Sequence, residues 1–362
     1  MPNPFSPSQF QACLLQWFEQ NDRPLPWKGE PDPYLIWLSE IILQQTRVEQ
    51  GKPYFLRFKE TFPTVFDLAA APEDHVFKLW EGLGYYSRAR NLHATAKRIA
   101  IEFDGVFPST YENILSLKGV GPYTAAAIAS FAYNLPHAVV DGNVYRVLAR
   151  IWGLDVPTTS TLGKKQFQAL ADQLLDTAQP GQYNQAIMDF GATCCTPASP
   201  KCSTCPFQTN CVAHTQDRIQ ELPVKKKKIK KKNRYFHYVD IEFGPHTWIE
   251  QRLHKDIWQG LYQLPLIETP QLSTNWKELI NTHHLPDWLQ NQSFKVLRKS
   301  KIFKQTLSHQ HIHAIFWRIQ LSEAPLVLKE NFIQIERKNL PKFAFPKIID
   351  WYLSDNALYL NV

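Results

Sequence analysis

The sequence predicts two domains of different class, an all-α domain followed by a smaller α+β domain, joined by a basic tether. Three observations predict it. At 362 residues the chain exceeds one compact domain and leaves each half enough residues to bury a core. Apolar residues recur with a helical period in the first part and in short β-rich runs in the second. Between the two parts lie seven lysines, Lys225 to Lys228 and Lys230 to Lys232, introduced by Leu222-Pro223 and closed by Asn233. No core accepts such a run, and its self-repulsion extends the chain. The expected limits are therefore 1–215 for the helical domain, 216–233 for the linker and 234–362 for the α+β domain.

In chain order, Ser8 can cap a helix over 10–19, and Pro33 opens one over 34–50. Further helical periods cover 92–103, 125–132, 144–152 and 165–178. Beyond the linker, strands are expected over 235–243, 294–303 and 311–321, with helices over 276–282 and 345–353. No internal repeat is present.

Composition narrows the function classes. A hydrophobic content of 44% with 13% aromatics marks a globular chain. The first eight residues show no basic region followed by an apolar core, and no apolar run reaches the roughly 18 residues that span a bilayer. A cytoplasmic protein with reduced thiols and no membrane partner is expected, which disfavours disulfides. The seven lysines equal the whole formal excess of +7, so a nucleic-acid site in either domain must come from local arrangement and not from bulk charge.

Four stretches carry chemistry. Leu117-Lys118-Gly119-Val120-Gly121-Pro122-Tyr123-Thr124 lies between two helical periods. Its glycines let the backbone turn with N–H groups exposed, and the helix started by Thr124 adds its positive end, so the turn can hold a phosphate without lysines. Flanked by a helix on each side, it resembles the helix-hairpin-helix element of DNA repair proteins. In Ala138-Val139-Val140-Asp141-Gly142-Asn143-Val144 an apolar run delivers Asp141 to the mouth of the next helix, where free N–H groups and the dipole favour the anion. In Tyr34-Leu-Ile-Trp-Leu-Ser-Glu40-Ile-Ile-Leu-Gln44, apolar side chains occupy almost every face. A carboxyl buried there has its pKa raised and can act as an acid near neutrality. An elevated Glu40 and an ionised Asp141 form the split pair that glycosidic cleavage uses. Finally, five of six cysteines fall in the eighteen residues from Cys194 to Cys211. On ligand softness alone four thiolates suit zinc and an iron–sulfur cluster equally.

Together these segments, with Leu25-Pro26-Trp27, Gln44-Gln45-Thr46 and the run Leu79-Trp80-Glu81-Gly82-Leu83-Gly84-Tyr85-Tyr86-Ser87-Arg88, closely resemble the MutY adenine glycosylases of the helix-hairpin-helix superfamily. The resemblance covers nearly all of the first 215 residues. It implies an all-α helix-hairpin-helix glycosylase domain that flips adenine mispaired with 8-oxoguanine or guanine out of duplex DNA and hydrolyses its N-glycosidic bond. By the same resemblance Glu40 protonates adenine N7, Asp141 supports the cationic sugar, and Tyr123 and Asn143 help to hold both. Arg23, Leu25, Trp27 and Gln185 line the adenine pocket. Gln45, Thr46 and Tyr85 fill the gap in the stack, Gly119, Val120 and Gly121 hold phosphate, and a monomer is implied. The Cys195-x6-Cys202-x2-Cys205-x5-Cys211 spacing is the family's [4Fe–4S] signature; it leaves Cys194 and Cys13 over and sets Lys201, within the 195–211 loop, against DNA.

After the linker, Trp258-Gln259-Gly260-Leu261-Tyr262 resembles the opening of the family's Nudix-like domain, which reads 8-oxoguanine with a Phe-Ser-His turn. Here the turn is Leu307-Ser308-His309, leaving Ser308 and His309 as the expected contacts. His309, His311 and His313 would also share a strand face compatible with a metal site. Two other functions compete. The related endonuclease III enzymes also nick the strand through a lysine at the position of Tyr123, which an aryl hydroxyl does not replace as a Schiff-base nucleophile. A non-catalytic DNA-binding module stabilised by zinc is the second.

Overall fold

The computed structural model describes residues 4–224, 231–282, 286–290, 292–323 and 331–357. Of the basic tether, residues 225–230 lie outside the described residues. The chain divides into two compact units, Met1–Ala71 with Asn91–Lys227, and Pro72–Arg90 with Lys228–Val362. The first is helical and the second mixed. In order along the chain the helices are α1 (Pro7–Gln20), α2 (Pro33–Leu43), α3 (Val48–Thr61), α4 (Val65–Ala70), α5 (Glu73–Trp80), α6 (Ser87–Glu102), α7 (Tyr111–Leu115), α8 (Pro122–Tyr133), α9 (Gly142–Trp152), α10 (Thr161–Leu174), α11 (Pro180–Thr193) and α12 (Val212–Thr215).

Local chemistry sets their limits. Ser6, not Ser8, caps α1, in a capping box with Gln9, because Pro7 suits the first helical position. Asp32 caps α2 by accepting from Tyr34 N at 2.9 Å. Every residue of α2 from Tyr34 to Ile42 is buried, and each large apolar side chain so buried contributes roughly 1.5–3 kcal/mol. The single helix expected over 34–50 is two: α2 stops at Leu43, and Gln45 takes a left-handed φ of 56° before Arg47 leads into α3. The helix-hairpin-helix consists of α7 and α8. Gly119 turns it at φ +84°, where a Cβ would meet Asn91 Cβ at 2.8 Å, so only glycine fits. α8 begins at Pro122, with Gly121 as its cap, which places Thr124 inside the first turn.

A core of α1, α8, α9, α10 and α11 side chains, including Phe10, Val144, Leu148, Phe167, Ala186 and Phe190, supports the mouth of α9. α9 and α11 approach closely at Gly191, where a Cβ would lie 2.6 Å from Asn143 Cβ and 3.0 Å from its carbonyl oxygen. A larger residue would push directly on the Asp141–Asn143 turn.

The second unit holds two sheets. Its strands are β1 (Lys232–Glu242), β2 (His246–Gln251), β3 (Tyr262–Gln263), β4 (Leu266–Thr269), β5 (Phe294–Lys299), β6 (Phe303–Thr306), β7 (Gln310–Leu321) and β8 (Phe332–Glu336). One sheet runs β4-β1-β7-β5 with β6 also on β7, and the other β3-β2-β8. β1 and β7 are parallel along their whole length. The expected strand 294–303 is broken into β5 and β6, because the four steps from Lys299 to Phe303 face only three on β7, from Trp317 to Ala314. The surplus residue is accommodated around Ser300, whose Oγ accepts from Phe316 N at 2.9 Å. Helices α13 (Trp276–Thr282), α14 (Asp287–Gln290) and α15 (Lys347–Ala357) pack on these sheets. Residues 72–90 belong to this unit: Tyr262 donates to Asp74 Oδ2 at 2.9 Å, and Phe345 N donates to Glu81 Oε1 at 3.2 Å.

Candidate active site

In the first unit, α2, the hairpin and the mouth of α9 surround a cavity of about 550 Å³. Glu40 enters from the buried face of α2, 7% exposed. Burial pushes its carboxyl up to about 7, helped by the Asp141 charge and opposed by a hydrogen bond from Tyr123. Tyr123, from the first turn of α8, is held far above its ordinary pKa by burial and by the two carboxylates, so it stays a neutral donor. Its hydroxyl also lies 3.6 Å from Met188 Sδ.

Asp141 caps α9 more completely than a simple cap requires. Oδ1 accepts from Asn143 N at 2.8 Å and Val144 N at 2.7 Å, and Oδ2 accepts from Asn143 Nδ2 at 2.7 Å. Burial nevertheless raises its pKa above the usual carboxylate value, with those three donors and Arg146 opposing it. The cap thus offsets burial and does not outweigh it, a correction to the expectation from the helix dipole alone. The asymmetry between the two acids still holds in kind: Asp141 accepts three hydrogen bonds, whereas Glu40 is held by the hydroxyl of Tyr123. Of the two carboxyl groups, Asp141 is therefore the one with more donors directed at its anion.

The same cavity is lined by Arg23, Leu25, Trp27, Gln45, Thr46, Gly121, Asn143 and Gln185, so eleven of the expected residues, counting Glu40, Tyr123 and Asp141, meet there. The left-handed φ of Gln45 is of the kind that surroundings must enforce, and it turns the chain at the cavity wall. Gly119 and Val120 stand apart from the lining, in the hairpin turn. Gln44, part of the Gln44-Gln45-Thr46 motif, joins the α2 end to the hairpin, donating to Thr124 Oγ1 at 3.1 Å and Gly119 O at 3.5 Å. Other lining residues had no sequence signal. Met188 and Asp189 come from α11, and Lys28 ion-pairs with Asp189 at 2.8 Å. α11 itself is not legible in the sequence, its apolar period blurred by Gly181 and Gly191.

Tyr85, Ser308 and His309 line a separate cavity, in the second unit, with Leu307 and Trp258. Tyr85 has a left-handed φ of 49°, and its hydroxyl lies 2.7 Å from Ser308 Oγ. His309 precedes β7, so it does not share the strand alternation of His311 and His313. Among the described residues no group of three or more His, Cys, Asp or Glu side chains is placed to hold a metal ion, and this applies to the histidines and the cysteines alike.

Cys194, Cys195, Cys202, Cys205 and Cys211 line one small cavity behind α9 and α11, walled by Ile151, Phe190 and Ile219, with Lys201 at its side. Arg150 Nη1 lies 3.5 Å from Cys195 Sγ and donates to Thr196 O at 2.7 Å. Arg146 donates to Cys195 O and Gly191 O, both at 2.7 Å, and to Asn143 Oδ1 at 2.9 Å. Two buried guanidiniums beside these five clustered thiols suit an anionic thiolate-bound group. The cavity takes in Cys194 as well as Cys195.

A glycine-turned hairpin between two helices, beside a cavity that holds a buried acid and a capped carboxylate, points to a base-excision DNA glycosylase of the helix-hairpin-helix class. Comparison with known proteins agrees. Residues 38–171 match the HhH-GPD superfamily base excision DNA repair protein family, and residues 239–355 match the NUDIX domain family. The chain is 35% identical over 318 residues to the adenine DNA glycosylase of Buchnera aphidicola subsp. Schizaphis graminum, covering 86% of this chain and 88% of the relative. It is 33% identical to that of Buchnera aphidicola subsp. Baizongia pistaciae, covering 83% of each. The human adenine DNA glycosylase is 43% identical over 59% of this chain and 41% of its own length. A solved structure of a thermostable thymine-DNA glycosylase shares 28% identity at a TM-score of 0.54, over 58% of this chain and 97% of its own. A non-covalent endonuclease III–DNA complex, at 20% identity and a TM-score of 0.51, shares the fold of the first unit. The chain belongs to the adenine DNA glycosylase family: it is a base-excision repair enzyme, and DNA is its partner. No helix among the described residues is long and apolar enough to cross a membrane.

Proposed function

We propose that this enzyme releases adenine opposite 8-oxoguanine or guanine as a monomer and leaves the sugar–phosphate strand uncut. The observation that carries this reading is the pair of unlike carboxyl groups in one cavity, Glu40 pushed up to about 7 by burial and Asp141 accepting three hydrogen bonds that favour its anion. An extruded adenine enters between Arg23, Leu25, Trp27 and Gln185, where polar ends fix its edge and Leu25 and Trp27 cover its face. Glu40 gives its proton to N7 while Tyr123 holds the carboxyl in place. The electrons of the C1′–N9 bond leave with the base. The oxocarbenium-like sugar faces Asp141, whose charge Asn143 keeps oriented. Water then adds to C1′ and returns a proton to the Glu40 carboxylate.

Tyr123 stands where a strand-cutting relative needs a lysine, and an aryl hydroxyl held so far above its usual pKa offers no amine for a Schiff base. Gln45 and Thr46, at the cavity rim, and Tyr85 are assigned to the gap in the stack. Gly119, Val120 and Gly121 are assigned to phosphate, as is Lys201. Ser308 and His309 are assigned to the opposite 8-oxoguanine. For the cysteine cavity the fit is to a [4Fe–4S] cluster on Cys195, Cys202, Cys205 and Cys211, with Arg146 and Arg150 balancing its charge. Such a cluster clamps the loop against α9 and α11 and takes no part in bond cleavage.

The test is Glu40→Gln assayed on a duplex with adenine opposite 8-oxoguanine. Adenine release is lost while duplex affinity stays within a few-fold; unchanged turnover would remove Glu40 from its role.

A further inference from the structure

At one end of the β1–β7–β6 face in the second unit the described side chains are exposed or half-buried, and the strand register dictates what stands there. Parallel pairing sets Asn233 opposite His311 and Tyr235 opposite His313. Antiparallel pairing sets Thr306 opposite His311 and Lys304 opposite His313. Strand alternation sends all six side chains to one face. They form two cross-strand rows, Asn233–His311–Thr306 and Tyr235–His313–Lys304. The next row, His237 and Ile315, is fully buried, with Ile315 packed on Leu279 of α13. The helix covers one end of the sheet face and leaves the other end open.

The rows are ordered by their own contacts. Thr306 Oγ1 and His311 Nδ1 are 3.0 Å apart, His313 Nε2 and Asn233 Oδ1 3.4 Å apart, and the Tyr235 and His313 rings lie 5.3 Å apart at 32°. What they lack is acid. His313 is discouraged from charging by burial, by Lys304 and by His311. Among the described residues, Lys304, His311 and His313 enter no ion pair. Sheet faces ordinarily interleave charges of both signs, because like charges side by side are destabilising. Next to the rows, Lys232 opens β1 and Lys231 donates to Leu307 O at 2.7 Å. Among the described residues, cationic and hydroxyl donors are thus concentrated here without an ion-paired acid.

We propose that this shelf binds the phosphodiester backbone of DNA. Lys304 supplies the charge, Tyr235, Asn233 and Thr306 supply polar ends, and the two imidazoles add donors; these are residue types that position a protein on phosphate without reading sequence. The assignment rests on DNA as the partner and not on which mispair is chosen, so it is tested on an undamaged duplex.

The full chain, wild type and with Lys304→Gln or Lys304→Glu, is titrated against a long undamaged duplex over a series of salt concentrations. Lys304 is exposed, so neither change disturbs the fold. For Lys304→Gln, the slope of log affinity against log salt falls by about 0.9, because one phosphate fewer is neutralised. Lys304→Glu weakens binding further at low salt. Slopes and affinities identical to wild type in both variants would overturn the proposal.

Discussion

In the proposed mechanism Glu40 concentrates the chemistry into one titration. Its carboxyl, pushed up to about 7, is the acid only while protonated. Single-turnover release should therefore decline above about pH 7, and that limb should shift in any variant that moves the Glu40 pKa. Tyr123→Phe removes the hydrogen bond that favours the anion, so the limb should move to higher pH; an unmoved limb would mean that another group sets it. The same pKa shift has a stability consequence of fixed sign. The folded chain holds a proton on Glu40 between its unfolded value of 4.5 and about 7, so this group's contribution weakens as pH rises through that window. Glu40→Gln, with no charge to bury, should be more stable than wild type at pH 8 by roughly 1–3 kcal/mol and little different at pH 5. Urea unfolding at the two pH values checks it.

Elements succeed or fail as predictions according to how local their causes are. The hairpin, the Asp141 cap and the cysteine loop are set by neighbours a few residues away, so their residues could be read directly from the sequence. The break between α2 and α3 could not. Its apolar period runs on, and the interruption depends on Gln44 reaching Thr124 and on the left-handed Gln45, both consequences of packing on the hairpin. Arg146 was invisible for the same reason, since its partners Gly191 and Cys195 are more than forty residues away. In the second unit, period-2 patterning revealed the long strands but not the surplus residue that splits β5 from β6. At this scale Gly191 offers a sharp test. Gly191→Ala drives a methyl into Asn143, which should cost about 1–3 kcal/mol in stability. It should also slow adenine release at least tenfold by turning Asn143 away from Asp141, while a normal rate with normal stability would show that the α9–α11 approach is loose.

At the scale of the whole molecule the chain combines a catalytic unit with a second one that carries Tyr85 and the Leu307-Ser308-His309 turn in a common cavity. The grouping of residues 72–90 with the C-terminal unit was not legible, because those residues, α5 and the start of α6, lie within the helical run of the sequence and meet the sheets only through the fold. Two assignments belong to this scale. Iron and sulfide analysis should find four of each per chain, lost in Cys195→Ser and retained in Cys194→Ser; one zinc without iron would replace the cluster. Ser308→Ala should reduce the preference for 8-oxoguanine over guanine while leaving release opposite guanine near wild type. The central claim, adenine excision by an acid–anion pair without strand cleavage, is tested most directly by single-turnover assays on duplexes holding adenine opposite 8-oxoguanine, adenine opposite guanine, and thymine glycol. Release of adenine from the first two, with strands breaking only after alkali, is the predicted result; excision of thymine glycol with an immediate nick would contradict it.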